Sequence, residues 1–123
     1  MEATTLSNGL MIVNATAHEF RFLMPDGTIE VAPPSGVRID AQAEETVIIE
    51  RGMAFVTPMF VPNAAGLEAL ASIEAEYPNA IILGSLLAAQ GYAGRIAMAI
   101  AAPGYERVPP AEKLVRSDKF TRY

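Results

Sequence analysis

The first sixty residues alternate between apolar and polar positions in short runs, which is the pattern of half-buried β-strands. Two dipeptides, Asp26-Gly27 and Arg51-Gly52, supply the residue types that tight turns prefer. This half of the chain therefore predicts an antiparallel β-meander. Its strand patterns cover residues 10–15, 19–24, 29–31, 37–39, 46–50 and 53–57.

The apolar spacing changes after residue 62. Four apolar residues recur at helical intervals between positions 67 and 77, and a proline at position 78 ends that helix. Residues 80–83 predict a buried strand, residues 86–90 a second helix, and residues 95–101 a last strand, before an irregular tail. A β-meander followed by β-α-β elements and an irregular C-terminal tail is an α+β fold. No repeat or linker interrupts the chain, so residues 1–123 are expected to form a single domain.

Composition narrows the cellular setting. Apolar residues make up 51% of the chain but aromatic residues only 7%, which predicts a core of small aliphatic contacts and apolar surface left for a homo-oligomer interface. The chain has no cysteine, which excludes disulfides and thiolate sites and fits a reducing compartment. The N-terminus lacks a basic signal region, and no apolar run is long enough to cross a bilayer. We therefore expect a cytoplasmic protein with no membrane partner.

Charge is distributed unevenly along the chain. The net charge is −5, yet residues 91–123 hold six of the nine basic residues and only three of the fourteen acidic ones. The last third is thus about +3 on a body of about −8, which indicates an anion-binding end. The alternative is a basic tail that packs on an acidic body, its own or that of a neighbouring subunit. An acidic chain with one modest basic patch is not expected to bind long nucleic acid.

The residues that catalysis usually needs are sparse. His18 is the only histidine, the acids are scattered, and no serine lies in a Gly-x-Ser-x-Gly motif. Phosphate-binding and dinucleotide-binding glycine motifs are also missing. We therefore expect no metal site, no cofactor and no enzymatic activity. One exception stays open, an acid–base mechanism that depends on His18 alone.

Three polar residues spaced by two, Asn14, Thr16 and His18, form the first candidate site. If the strand continues through them, an amide, a hydroxyl and an imidazole share one face and bind a polar ligand. Alternatively, they fix the turn between two strands by bonding to nearby backbone.

Ser85 lies at a predicted strand–helix junction, where the unpaired N–H groups of a helix suit a phosphate group. The alternative is a plain N-cap, the usual role of serine at a helix start.

The basic C-terminal third adds guanidinium groups, an ammonium group and aromatic rings. Arginine binds phosphate through two parallel hydrogen bonds, and a tyrosine ring stacks on a nucleobase. Tyr92 follows the second helix closely and is either part of this end or a packing residue. The ligand-binding candidates from this region are Tyr92, Arg95, Tyr105, Arg107, Lys113 and Arg116.

Two short motifs resemble a family of small phage and prophage proteins. Asn14-Ala15-Thr16-Ala17-His18 matches an Asn-x-Thr-x-His strand, and Pro33-Pro34-Ser35-Gly36 matches a turn that follows shortly after it. Residues 103–113 are similar to one branch of the same group. Phage proteins of this size include the Thoeris anti-defence sponges, oligomers that sequester cyclic nucleotide signals without cleaving them. The resemblance implies that arginines hold the phosphates of an adenine-nucleotide-derived signal and that an aromatic ring stacks on its base.

These observations lead to one hypothesis and two alternatives. The first is a phage-type, homo-oligomeric binding protein that sequesters a small phosphorylated ligand in the bacterial cytoplasm. The second is a structural or protein-interaction protein, such as a virion accessory protein or an inhibitor of a host protein. The third is a nucleotide-processing enzyme that uses His18.

Overall fold

A computed structural model describes all of residues 1–123. The chain is mostly strands with two α-helices, which confirms the α+β class. Neither helix is both long enough and apolar enough to cross a membrane. The strands are Thr4–Thr5 (β1), Met11–Asn14 (β2), Phe20–Leu23 (β3), Ile29–Ala32 (β4), Gln42–Glu50 (β5), Met53–Val61 (β6), Ile81–Leu83 (β7), Ala97–Ala101 (β8) and Val115–Arg122 (β9); the α-helices are Ala64–Glu76 (α1) and Leu86–Gly91 (α2), and Pro110–Glu112 is a short 3₁₀ helix.

Seven strands form one mixed sheet in the order β1-β2-β7-β8-β9-β3-β4. Antiparallel pairing is found as expected for β3 with β4 and for β5 with β6, and β2 also pairs antiparallel with the short strand β1, which the sequence does not predict. The first half is nevertheless not one continuous meander, because β7, β8 and β9 lie between β2 and β3. The parallel pairs β2–β7 and β7–β8 require crossover connections, and α1 and α2 lie within them.

The last strand occupies part of the segment that the sequence leaves as an irregular tail. β9 lies between β8 and β3 in the sheet. Ser117 is buried within it, and its hydroxyl donates to the Leu23 carbonyl at 3.2 Å. The strand pattern is weak in the sequence because a serine occupies this inward position. Residues 37–40, in contrast, alternate like a strand but join no sheet.

Apolar side chains form a core cluster on each face of the sheet. Neighbouring residues of a strand point to opposite faces, so Ile82 packs beneath the helices whereas Leu83 packs on the other side. On the helical side, Leu70 and Ile73 of α1 are fully buried. The continuous apolar run that predicts a strand at residues 80–83 therefore reflects burial of β7 on both faces.

The buried side chain of Asn14 joins two strands that are distant in the sheet order. Its Nδ2 atom donates to the Ala32 carbonyl in β4 at 3.1 Å and to the His18 carbonyl at 2.6 Å. Its Oδ1 atom accepts from the Thr16 N–H at 3.0 Å, and its backbone carbonyl accepts from the Ser35 N–H at 2.9 Å. Because β2 and β4 lie near opposite ends of the sheet order, the sheet must curl for these bonds to form.

Strands β5 and β6 form a separate two-stranded hairpin, here called the arm (residues 42–61). Arg51 and Gly52 have positive φ angles of 52° and 74°, as the two central residues of a type I′ turn require. All residues of the arm are exposed except Phe60 and Val61 at its base, where α2 packs against β6. The hairpin expected from residues 46–50 and 53–57 is confirmed, and both of its strands are longer than expected.

Replacing Asn14 with alanine tests its role in holding the curled sheet. We expect Asn14→Ala to lower the free energy of unfolding by about 1–3 kcal/mol, because the Ala32 and His18 carbonyls both lose the hydrogen bond from the Asn14 amide. Urea denaturation followed by circular dichroism measures the change. Asn79→Ala is the matched control, since Asn79 is exposed and its change should stay within about 0.5 kcal/mol. Equal stability of the two variants would contradict this role.

Candidate functional site

A cleft of about 630 Å³ lies where the ends of several sheet strands meet the start of α2. It is lined by residues 15–18 after β2, residues 38–41 before the arm, residues 84–87 at the β7–α2 junction, and side chains of β3, β8 and β9 with Lys113. Its volume falls within the range of about 300–1,000 Å³ that is usual for small-molecule sites. The cleft is therefore large enough for a nucleotide-sized ligand.

Most of the cleft lining is apolar. Eleven of its eighteen residues are hydrophobic. Phe20 contributes an aromatic ring to the lining. Leu86 and Leu87 of α2 contribute apolar side chains that are 45% and 42% exposed. Exposed leucines and an aromatic ring within one cleft suit a flat apolar group such as a nucleobase.

The charged residues of the cleft are mainly basic. Arg38 and Lys113 line it against one carboxylate, Asp40, and the imidazole of His18 lines it as well. Arg38 pairs with Asp40 at 3.1 Å, and both of these side chains are more than half exposed. Lys113 forms no ion pair in the structure. The cleft is thus locally positive on an acidic chain, and a bound anion has Lys113 available as a partner.

Asn14, Thr16 and His18 do not form a row on one strand face. Strand β2 ends at Asn14, and the Thr16 hydroxyl contacts the Asn14 Oδ1 atom at 2.7 Å and the His18 carbonyl at 3.0 Å. The three residues therefore shape the turn, as the alternative interpretation of the sequence expects. Thr16 and His18 line the cleft, whereas Asn14 is buried at the start of the turn.

Ser85 lines the cleft and also caps α2. Its hydroxyl accepts from the Ala88 N–H at 3.2 Å, the geometry of an N-cap. The helix that follows has only six residues. The capping role that the sequence allows is thus present, and the hydroxyl is already engaged with its own helix.

Tyr92 is a buried residue that supports the cleft from outside its lining. It is only 2% exposed, and its hydroxyl donates to the Asp40 carbonyl at 3.0 Å while it accepts from the Asn63 N–H at 3.2 Å. A Cβ atom on Gly66 would lie 1.7 Å from this hydroxyl, so only glycine lets α1 approach so closely. Tyr92 therefore fixes the backbone of the Arg38–Asp40 segment to both helices.

Two of the candidate arginines are engaged with carboxylates outside the cleft. The Arg95 Nε atom donates to Glu74 at 3.2 Å, and this hydrogen bond raises the pKa of Arg95 above its ordinary value. Arg116 binds Asp118 through two bonds of 2.8 and 2.9 Å, which raise the pKa of Arg116 and lower that of Asp118. Their positive charge is therefore balanced locally.

The remaining candidates of the C-terminal tail differ in whether they line the cleft. Lys113 lines the cleft, whereas Tyr105 and Arg107 do not. Arg21 of β3 donates to the Ala111 carbonyl at 3.3 Å and ties the tail to the sheet just before Lys113. Of the ten candidate residues, the structure brings four together at the cleft: Thr16, His18, Ser85 and Lys113.

Several cleft residues are not predicted from the sequence. In the sequence pattern, ordinary apolar positions of strands and helices include Phe20, Leu86, Leu87 and Met98. Arg38 had one signal, since it is one of only three basic residues among the first ninety. Its presence in the same cleft as Lys113 depends on the tertiary structure, which local patterns do not reveal.

Comparisons with protein-family models, curated proteins and solved structures found no match to this chain.

Replacing Tyr92 with phenylalanine tests its support of the Arg38–Asp40 segment. We expect Tyr92→Phe to lower the free energy of unfolding by about 1 kcal/mol, because the Asp40 carbonyl and the Asn63 N–H both lose a partner. Urea denaturation provides the measurement. Tyr77→Phe is the control, because the Tyr77 hydroxyl forms no hydrogen bond in the structure and its loss should change little. A loss no larger than the control's would refute the assignment.

Proposed function

We propose that this protein is a phage-type binding protein that sequesters a small phosphorylated ligand, a cyclic nucleotide-derived signal, in the bacterial cytoplasm without cleaving it. The observation that carries the proposal is the cleft, in which Lys113 lacks a carboxylate partner among mostly apolar residues. Such a site suits a ligand with a flat apolar part and an anionic part.

The apolar part of the ligand is assigned to Phe20 and the leucines of α2. Stacking of a nucleobase on an aromatic ring contributes about 1–3 kcal/mol and tolerates different bases. Leu86 and Leu87 would lose their exposure to water when a ligand covers them.

The anionic part is assigned to Lys113, together with Arg38 and His18, which line the same cleft. Arg38 is held by Asp40 only through an exposed ion pair, which is a weak interaction in water. A phosphate group can therefore replace Asp40 as the partner of the Arg38 guanidinium at small cost, because two parallel charge-assisted hydrogen bonds to phosphate are stronger than this exposed ion pair.

Sequestration is favoured over turnover by the surroundings of His18. A catalytic histidine is usually oriented by a third group that bonds to its second ring nitrogen. His18 takes part in hydrogen bonds through its backbone, to Asn14 and Thr16, and its side chain is exposed. The enzyme alternative predicts a chemically altered ligand and loss of that change in His18→Ala.

Calorimetric titration with cyclic AMP, a cyclic dinucleotide and ADP-ribose tests the proposal, with adenosine as the unphosphorylated comparison. We expect binding of at least one phosphorylated compound, and recovery of it unaltered after heat denaturation, as mass spectrometry would show. Lys113→Ala should weaken this binding about tenfold or more, because a charge-assisted hydrogen bond is lost. Lys119→Ala is the control, since it removes the same charge from an exposed position of β9 outside the cleft. No binding of any compound, or equal effects of the two variants, would refute the proposal.

A negative charge on the apolar wall provides a second test. Leu87→Glu should abolish measurable binding of the same anionic ligand, because a carboxylate replaces an apolar contact and repels the phosphate. Leu67→Glu on α1 is the matched control, since Leu67 is 41% exposed against 42% for Leu87 and lies outside the cleft. Retained affinity in Leu87→Glu would place the ligand elsewhere.

The second candidate function is protein interaction, and the exposed apolar arm favours it. It predicts a stable protein complex that forms without a small molecule. Binding of such a partner should be insensitive to Lys113→Ala and Leu87→Glu.

A further inference from the structure

The arm carries large apolar side chains on both of its faces. Residues at even positions of β5 share a face with their cross-strand partners, so Ile48 lies beside Phe55 on one face. Val47 and its partner Val56 lie on the other face, with Ile49 next to them. All five side chains are between 46% and 67% exposed.

A free two-stranded hairpin with two apolar faces is unstable in water, and further strands or a packed surface are normally needed. The arm has no third strand within its own chain. Only its base contacts the body, through α2 and the end of β6. The arm is therefore expected to acquire a partner strand from another molecule.

The two edges of the arm are not equivalent. Glu50 and Met53 flank the two-residue turn and form a hydrogen-bonded pair, and such pairs alternate with non-hydrogen-bonded ones along the ladder. Glu45 and Pro58 are thus a non-hydrogen-bonded pair, so the Pro58 nitrogen faces the outer edge of β6. Since proline has no N–H, it blocks strand addition there. The outer edge of β5 has no proline and presents the N–H and C=O groups of Glu45, Val47 and Ile49.

We propose that β5 pairs antiparallel with β5 of a second copy of this chain, around a two-fold axis at Ile48. Residues of β5 whose backbone N–H and C=O groups point outward must pair with residues of the second copy whose groups also point outward. The two-fold axis therefore passes through a residue that lies opposite its own symmetry mate. An axis at Val47 would oppose Glu44 and Glu50 of the second copy. An axis at Ile48 instead brings Glu45 to the tip of the second copy's arm, where Arg51 directly follows the end of β5, and does so twice by symmetry.

The chosen register also continues the apolar rows. The two arms would form one four-stranded sheet. On one face of it, Phe55 and Ile48 of one copy form a single row with Ile48 and Phe55 of the other copy. On the opposite face, Val47 lies opposite Ile49 of the second copy. The antiparallel arrangement brings the tip of each arm to the base of the other, next to the body of the second copy. Self-complementary charge and continuous apolar rows together identify a second copy as the occupant of this edge.

Single cysteines test the register directly, because the chain has none of its own. Ile48→Cys should form a disulfide-linked dimer on mild oxidation, since directly opposed residues of a non-hydrogen-bonded pair lie about 4.5 Å apart at Cα, within disulfide range. Phe55→Cys is the control. Phe55 has the same face and 56% exposure against 55%, but its symmetry mate would lie about 14 Å away, three strand spacings across the sheet.

A charge exchange tests the same pairing without a crosslink. Sedimentation equilibrium of the unaltered protein should show a dimer. Arg51→Glu should raise its dissociation constant about tenfold, because two attractive pairs become repulsive. Combining it with Glu45→Arg should restore the original value to within about threefold.

Circular dichroism of each variant monitors the fold of the body, from which the exposed arm residues are remote. A monomeric unaltered protein would overturn the inference, as would equal crosslinking of Ile48→Cys and Phe55→Cys, or a charge exchange without rescue. None of these results bears on ligand binding in the cleft, so this inference and the proposed function fail independently.

Discussion

The buried amide of Asn14 is the interaction on which the rest of the structure depends. It joins the end of β2 to the carbonyl of Ala32 in β4, although four strands lie between these two in the sheet order. The same side chain bonds to the backbone of Thr16 and His18, so one residue both holds the sheet in its curled shape and shapes a wall of the cleft. A buried amide whose donors and acceptor are satisfied is specific in this way, because any other arrangement would leave polar atoms without partners.

The cleft forms because several chain segments end at the same place. Residues that follow β2, that precede the arm and that begin α2 meet there, and Tyr92 holds the second of these segments through the Asp40 carbonyl. Charge then distinguishes this place from the rest of the surface. Arg95 and Arg116 are balanced by Glu74 and Asp118, while Lys113 is left for an anion. The positive charge of the last third is thus partly balanced on folding, and Lys113 is a cation of the cleft that has no carboxylate partner.

Much of the fold is visible in local patterns. The hairpin turn at Arg51-Gly52, both helices and the buried strand β7 lie where spacing and turn residues place them. The order of the strands is not visible in the same way, because parallel pairing of β2 with β7 joins residues about seventy positions apart. β9 is also obscured in the sequence, since Ser117 occupies an inward position that strands usually give to an apolar residue.

The sequence by itself determined the residue types available for function: one histidine, no cysteine, a basic last third and an apolar hairpin. It also indicated Thr16, His18 and Ser85, since polar residues at turns and helix starts have local signatures, and Lys113, which belongs to the basic last third. Only the tertiary structure decided that these four share a cleft with Arg38 and Phe20, and that Asn14 and Tyr92 are buried supports. The physical reason is that pairing of distant strands and of opposite charges depends on distances in space, which local sequence patterns do not encode.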